Sequence, residues 1–251
     1  MTDGRLGPSA LSVIIPALNE AENLRSLLPA LRETLADLEL PAEVIVADGD
    51  SWDATPAVAQ ELGALVVTQV APGYGGALRA GFAAARGEYL LTMDGDWSHE
   101  PEVVRALWAA RSKADILIAS RFIPGGQAEM GFFRGVLSRV LNVTYRRILD
   151  LPVRDLSSGF RLYRRQILAE IAPQATDFDV LQEILVKAVG CGFTVGEVPF
   201  CYRPRSAGRS HVRLLRFAAV YVRTLWRMWR LRNSVASADS DSRTVGSRIP
   251  G

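Results

Sequence analysis

A chain of 251 residues, 49% hydrophobic and 22% charged, is long enough to bury one full α/β core and too short for two large domains. The formal net charge is only +2, yet nine arginines and no acidic residue lie between Arg203 and Arg232, so +2 less nine leaves −7 for the remainder. A basic block so segregated calls for an anionic partner: a phosphorylated substrate, an anionic membrane surface or nucleic acid. Cys191 and Cys201 have neither CxxC spacing nor a histidine cluster beside them, so neither a zinc site nor a disulfide framework is suggested. Residues 1–9 lack the apolar centre of a leader peptide, and no uncharged apolar run of about 18 residues occurs, so a cytoplasmic chain that does not span a membrane is expected.

Leu11-Ser-Val-Ile-Ile-Pro16 is a short apolar run closed by proline, and Leu24, Leu27, Leu28, Leu31 and Leu35 then recur near helical spacing. This reads as strand, loop and helix. Glu43–Ala47 is a second buried strand ending in an acidic loop, Asp48 to Asp53, and Thr55-Pro56 opens a helix through Leu62. Ala64–Thr68 is a third strand, Gly73–Gly76 a flexible turn, and Ala77–Ala85 an alanine-rich helix. Tyr89–Met93 is a fourth strand that runs into Asp94-Gly95-Asp96. Alternating strands and helices predict a mostly parallel sheet whose ligand lies beyond the carboxyl ends of the strands, where all these polar loops fall.

Pro101–Lys113 is expected as a helix, Ile116–Ser120 as a strand, Phe133–Leu149 as a long helix and Phe193–Val198 as a late strand. From His211 to Arg232 bulky apolar residues alternate with arginines that fall on one face of a helix, making it amphipathic. Residues 234–251 are rich in serine and aspartate, a composition expected to stay disordered. The expected organisation is a flexible start over 1–10, a catalytic domain over 11–210, a basic amphipathic helix over 211–233 and the tail over 234–251.

Asp94 and Asp96 place two carboxylates on a tight turn at a strand end, and Gly95 lets the backbone approach a ligand. Hard oxygen donors at this spacing suit Mg²⁺ or Mn²⁺ bridging to a diphosphate. An isolated Asp-x-Asp is also what a simple turn after a buried strand looks like, so the neighbouring motifs decide. Those are Pro16-x-x-Asn19-Glu20, Asp48-x-x-Ser51-x-Asp53, Gly73-x-Gly75-x-Ala77, Asp94-x-Asp96 and Pro101-Glu102, in order along one chain.

In this set the chain resembles the family 2 glycosyltransferases of GT-A fold, a Rossmann-like α/β architecture. Met93–Glu102, Ser120-Arg-Phe, Gly125-Gly126, Arg134, Asn142 and Asp155–Arg164 are similar to the dolichol-phosphate mannose synthase branch and its bacterial polyprenyl-phosphate relatives. The resemblance implies that Pro16, Leu18 and Glu20 contact the base and ribose of a nucleotide-sugar donor, that Asp48 reads the base edge, and that Gly76 and Gly95 border the donor. It implies Asp94 and Asp96 as metal ligands, with Ser98 at the position that supplies a further ligand through a water, and Arg121 and Arg134 on the donor diphosphate or the acceptor phosphate. It gives Asp155 a part as acceptor-side organiser or base, and Arg205 and His211 a place in a loop over the donor phosphates. Leu18 and Gly49 stand where the family carries an aromatic and a second acid, so the base is left open.

The implied reaction is inverting transfer of a hexose, from GDP-mannose or else UDP-glucose, to a polyprenyl monophosphate; a saccharide or protein acceptor is the alternative. The basic helix suggests peripheral contact with the cytosolic membrane face, since its interleaved apolar residues suit lipid better than nucleic acid. A separate membrane-anchoring partner protein is left open.

Overall fold

The computed structural model describes residues 10–129, 132–202 and 223–234, the side chains of 132–134 excepted. In chain order the elements are β1 (Leu11–Ala17), α1 (Ala21–Ala36), β2 (Ala42–Asp48), α2 (Thr55–Glu61), β3 (Leu65–Thr68), α3 (Tyr74–Ala84), β4 (Tyr89–Thr92), α4 (Val103–Ala110) and β5 (Ile116–Ser120). There follow β6 (Gln127–Ala128), α5 (Phe132–Leu149), β7 (Arg161–Arg164), α6 (Arg165–Ile171), α7 (Val180–Gly190), β8 (Val195–Pro199) and β9 (Cys201–Tyr202). A helix over 223–234 comes last and is called α8.

Seven strands form one sheet in the order β3-β2-β1-β4-β7-β5-β8, parallel throughout except β7, which runs antiparallel between β4 and β5. Strand residues alternate between two cores because successive side chains point to opposite faces. Val13, Ile15, Val46 and Leu91 meet α1, α2 and α4, whereas Ile14, Ile45, Leu90 and Ile118 meet α3, α6 and α7. The sheet is covered on both faces, which is why its strands read as continuous apolar runs. β6 and β9 pair in a separate two-stranded ribbon. The strand order reverses beside β1, with β2 on one side and β4 on the other, and such a switch point opens a crevice at the carboxyl edge.

Several expectations shift. The turn over Gly73–Gly76 is helix from Tyr74 onward, because the amide of Gly76 is taken up by the carbonyl of Thr176 at 3.1 Å. The helix expected over Pro101–Lys113 is regular only over Val103–Ala110. β7 had no expected strand: Arg161 and Arg164 flank Leu162 and Tyr163, and the arginines mask an apolar run.

α8 docks through Leu225, Met228 and Leu231, with Met228 fully buried. Arg227 pairs with Asp179 at 2.7 Å and Arg232 with Asp150 at 3.1 Å. Arg227 belongs to the arginine face expected to meet anionic headgroups, and its pairing with an acid of the domain corrects that expectation for this residue; Arg232 lies off that face. Trp226 and Trp229 remain 57% and 44% exposed, with Arg230 stacked 4.8 Å above Trp226. Among the described residues no helix is long and apolar enough to cross a membrane, and Cys191 and Cys201 are exposed, free thiols.

Candidate active site

β1 and β2 run in register, Ala17 beside Asp48, so the loops that follow them share one edge. Asn19 sits in the left-handed region at φ 57°, a conformation asparagine tolerates better than most side chains. Its amide donates to Ser51 Oγ at 2.9 Å, and its Oδ1 accepts from the Trp52 amide at 3.0 Å. The Glu20 amide donates to Thr55 Oγ1 at 2.8 Å and the Ala21 amide to Asp53 Oδ2 at 3.2 Å. The first amides of α1 are thus capped from the loop after β2, since Glu20 makes no side-chain cap of its own. Burial raises the Asp53 pKa, but hydrogen bonds from Thr55 and the Ala21 amide outweigh it and hold the carboxyl below its ordinary range.

This bracing presents the donor-side residues at the crevice. Pro16 is partly buried at the end of β1, and Leu18 stands 56% exposed at the rim. Asp48 is buried; its Oδ2 accepts from the Ser51 amide at 3.2 Å, while Oδ1 has no hydrogen-bond partner. A buried acceptor left unpaired costs about 1–3 kcal/mol, which a donor on a bound ligand would recover. Gly76 is held at the start of α3 by its neighbours. Its amide is already bonded to Thr176, and a Cβ there would collide with the Ala71 carbonyl, so close packing accounts for the glycine.

β4 leads through Met93 into the acidic turn. Asp96 is buried and its Oδ1 accepts from the Ser98 amide at 3.0 Å. The Asp94 amide donates to His99 Nδ1 at 2.8 Å, and the Tyr74 hydroxyl donates to Asp94 Oδ1 at 3.3 Å. Because Nδ1 of His99 accepts, its proton resides on Nε2, 3.7 Å from Asp94 Oδ2. The imidazole is buried, stacked on Phe160 at 4.7 Å and edge-on to Phe200 at 5.6 Å. Burial lowers its pKa and keeps it in the neutral form that this bond requires. His99 therefore braces the turn.

Beyond β5, Arg121 donates to Asp155 through Nε at 2.7 Å and Nη2 at 2.8 Å, and its amide adds a bond of 3.0 Å. Asp155 is fully buried, and its Oδ1 also accepts from Ser157 and Ser158. Burial pushes its pKa up, but the hydrogen bonds and charge of Arg121 prevail and hold it below the ordinary carboxylate value. With both oxygens engaged and ionisation favoured, Asp155 is a poor proton acceptor, which corrects the reading of this residue as a base. Asp94, Asp96, Ser98, His99 and Arg121 line one cavity of 180 Å³ together with Ser157–Gly159, Phe200 and Tyr202.

The Arg134 side chain, Arg205 and His211 lie outside the described residues. Reasoning from the sequence missed Tyr74, which bonds Asp94 and stacks on Phe178 at 4.6 Å; its only mark was an aromatic inside a glycine-rich turn. It also missed Arg161, fully buried, whose guanidinium donates to the carbonyls of Ser158, Leu181 and Leu156, each at 2.7 Å.

Among the described residues no three His, Cys, Asp or Glu side chains gather as a metal cage. Two carboxylates in a polar cavity nonetheless fit a hard divalent cation such as Mg²⁺, which is commonly held by one or two carboxylates and completed by substrate phosphates and water.

An acidic Asp-x-Asp turn at the switch point of a mostly parallel, doubly covered sheet defines the class: a GT-A fold. Two solved structures share it. Glucosyl-3-phosphoglycerate synthase from Mycobacterium tuberculosis, in complex with Mn²⁺, UDP and glucosyl-3-phosphoglycerate, matches with a TM-score of 0.68 over 89% of this chain and 80% of that one, at 23% identity. Mannosyl-3-phosphoglycerate synthase from Rubrobacter xylanophilus matches with a TM-score of 0.69 over 90% and 75%, at 20% identity. Residues 12–172 match the profile of Glycosyl transferase family 2. Dolichol-phosphate mannosyltransferase of Pyrococcus furiosus is 34% identical over 214 residues, 81% of this chain and 59% of that protein. Polyprenol monophosphomannose synthase of Mycolicibacterium smegmatis is 34% identical over 215 residues, 79% of each. The chain belongs to glycosyl transferase family 2 and is a glycosyltransferase.

Proposed function

We propose that the protein transfers a hexose from a nucleotide sugar to a polyprenyl monophosphate with inversion of the anomeric centre. The observation that carries this reading is the placement of Asp94, Asp96 and Arg121 in one cavity at the switch point, two anions and one cation around the place for a diphosphate. The lipid acceptor rests on similarity to the Pyrococcus and Mycolicibacterium enzymes, whose names specify dolichol-phosphate and polyprenol monophosphate chemistry. GDP-mannose is the first donor to test and UDP-glucose the second. The unpaired Asp48 oxygen would accept an N–H of the base, and guanine and uracil both offer one.

An acceptor phosphate oxygen, already anionic at neutral pH, attacks the anomeric carbon; the anomeric C–O bond breaks and the nucleoside diphosphate departs. No strong base is needed, and catalysis comes from position and fixed charge. Asp155 orients Arg121. Arg134, Arg205 and His211 would contribute charge to the phosphates. Mg²⁺ or Mn²⁺, held by Asp94 and Asp96 with Ser98 nearby, would neutralise charge on the diphosphate. A saccharide or protein hydroxyl would require a base, and Asp155 with its engaged oxygens does not supply one.

A peripheral position at the cytosolic membrane face is supported by exposed Val136, Val140 and Val143 on α5, in line at helical spacing, and by Trp226 and Trp229 on α8.

The test is incubation with Mn²⁺ or Mg²⁺, a short polyprenyl phosphate and, in separate tubes, GDP-mannose and UDP-glucose, with lipid-linked sugar followed by mass spectrometry. One donor is expected to give product, and Asp96→Ala is expected to lower the rate on the order of 100-fold or more. Donor hydrolysis without lipid product would overturn the lipid acceptor, and full activity of Asp96→Ala would overturn the metal site.

A further inference from the structure

A larger cavity of 390 Å³ shares Arg121 with the catalytic one and is lined also by Phe122, Arg139, Asn142, Arg146 and Arg154, among others. Hydrogen bonds link residues of the two cavities: Arg121 Nη2 donates to Ser157 Oγ at 2.7 Å, and Asn142 Nδ2 donates to the same oxygen at 3.2 Å. Asn142 Oδ1 accepts from the Leu156 amide at 2.8 Å, which ties the loop bearing Arg154 to α5. Arg139 and Arg146 are seven residues apart, two helical turns, and so point to one side of α5. The fold thus gathers around one hollow three arginines that the sequence keeps apart.

The nearby carboxylates are committed elsewhere. Asp155 is held by Arg121 and Asp150 by Arg232, while Glu197 accepts the amides of Arg154 and Asp155 at 2.9 and 3.0 Å. Among the described residues none of Arg139, Arg146 or Arg154 has a carboxylate partner, and α5 carries no acidic residue. Arg139 lies over the Phe122 ring at 5.9 Å, a stacking that leaves guanidinium N–H groups available. Like charges around a single concavity repel one another, and an anion with several acceptor oxygens relieves that repulsion while engaging the planar donor forks.

We propose that this cavity is a second anion site, which takes the phosphate of a phosphate-bearing ligand other than the group reacting at Asp94 and Asp96. The same chemistry is offered by the head of a phosphorylated amphiphile, whose apolar part would follow Phe122, Ile123 and Val143, and by free phosphate. The cavity shares Arg121 with the site assigned above, and the proposal rests on Arg139, Arg146 and Arg154, which that site does not use.

Calorimetric titration of the full chain and of R139Q/R146Q/R154Q tests it, with inorganic phosphate and octyl phosphate as separate probes. Mn²⁺ and whichever of GDP or UDP binds are present to fill the cleft. At least one probe is expected to bind the unmodified chain, and the triple variant to bind it about tenfold more weakly or worse, with metal–nucleotide affinity unchanged. Tighter binding of octyl phosphate identifies an amphiphile head as the ligand; equal affinity identifies free phosphate. Equal affinity of variant and unmodified chain for both probes, or no binding of either, overturns the site. If neither nucleotide binds, the glycosyl-donor reading fails, and the two phosphate titrations still decide this one.

Discussion

A carboxylate with no exposure is tolerated only when its charge is answered, and Asp155 is answered by the fork of Arg121. Removing the charge in Asp155→Asn strands a largely buried guanidinium, and about 3–5 kcal/mol of stability should be lost in urea denaturation at neutral pH. Because the folded carboxyl titrates below its ordinary value, this stability is fully present above the unfolded pKa of about 3.9 and is lost as pH falls through the lower folded value. The gap between the two proteins should therefore close on acidification below about pH 4; a gap constant down to pH 2 would mean that the charge of Asp155 is irrelevant. At His99, substitution by alanine leaves the Asp94 amide without its acceptor and opens a space beside Phe160 and Phe200. A loss of about 2–4 kcal/mol is expected by the same measurement. The metal carboxylates could be read from a local motif, whereas the Arg121–Asp155 pair joins residues 34 positions apart and is created by the fold alone.

The C-terminal helix shows how one element serves two surroundings. Met228 points into the core and the two tryptophans point away from it, so the two kinds of substitution should separate. Met228→Ala should cost about 2–4 kcal/mol through the cavity it leaves. Trp226→Ala/Trp229→Ala should change stability by less than about 1 kcal/mol yet weaken co-sedimentation with anionic vesicles, an effect that added salt should mimic for the arginine contribution. Unaltered vesicle binding in that double variant would remove α8 from the membrane contact. Helical spacing announced α1, and the apolar run announced β1 and β4. β7 went unread because Arg161 satisfies three backbone carbonyls inside the core, a use of arginine that its polarity conceals.

Across the whole molecule, the site spans loops that follow β1, β2, β4 and β5, so ligand binding should be felt as global stability. At a hundred times its dissociation constant, the cognate nucleotide with Mn²⁺ should raise the unfolding free energy by about 2.7 kcal/mol. Asp96→Ala should lose most of that gain in thermal unfolding, while a variant stabilised as much as the parent would place the nucleotide elsewhere.

By itself the sequence determined the alternating α/β order, the Asp94–Asp96 turn at a strand end and the family to which these motifs point, because each depends on residues close together in the chain. Only the tertiary structure decided that β7 enters the sheet antiparallel, that Asp155 is spent on Arg121, that Arg227 and Arg232 pair with Asp179 and Asp150, and that Arg139, Arg146 and Arg154 line one hollow. Each of those outcomes depends on which distant groups packing brings within a few ångströms, where desolvation and charge are settled by partners that local spacing does not specify.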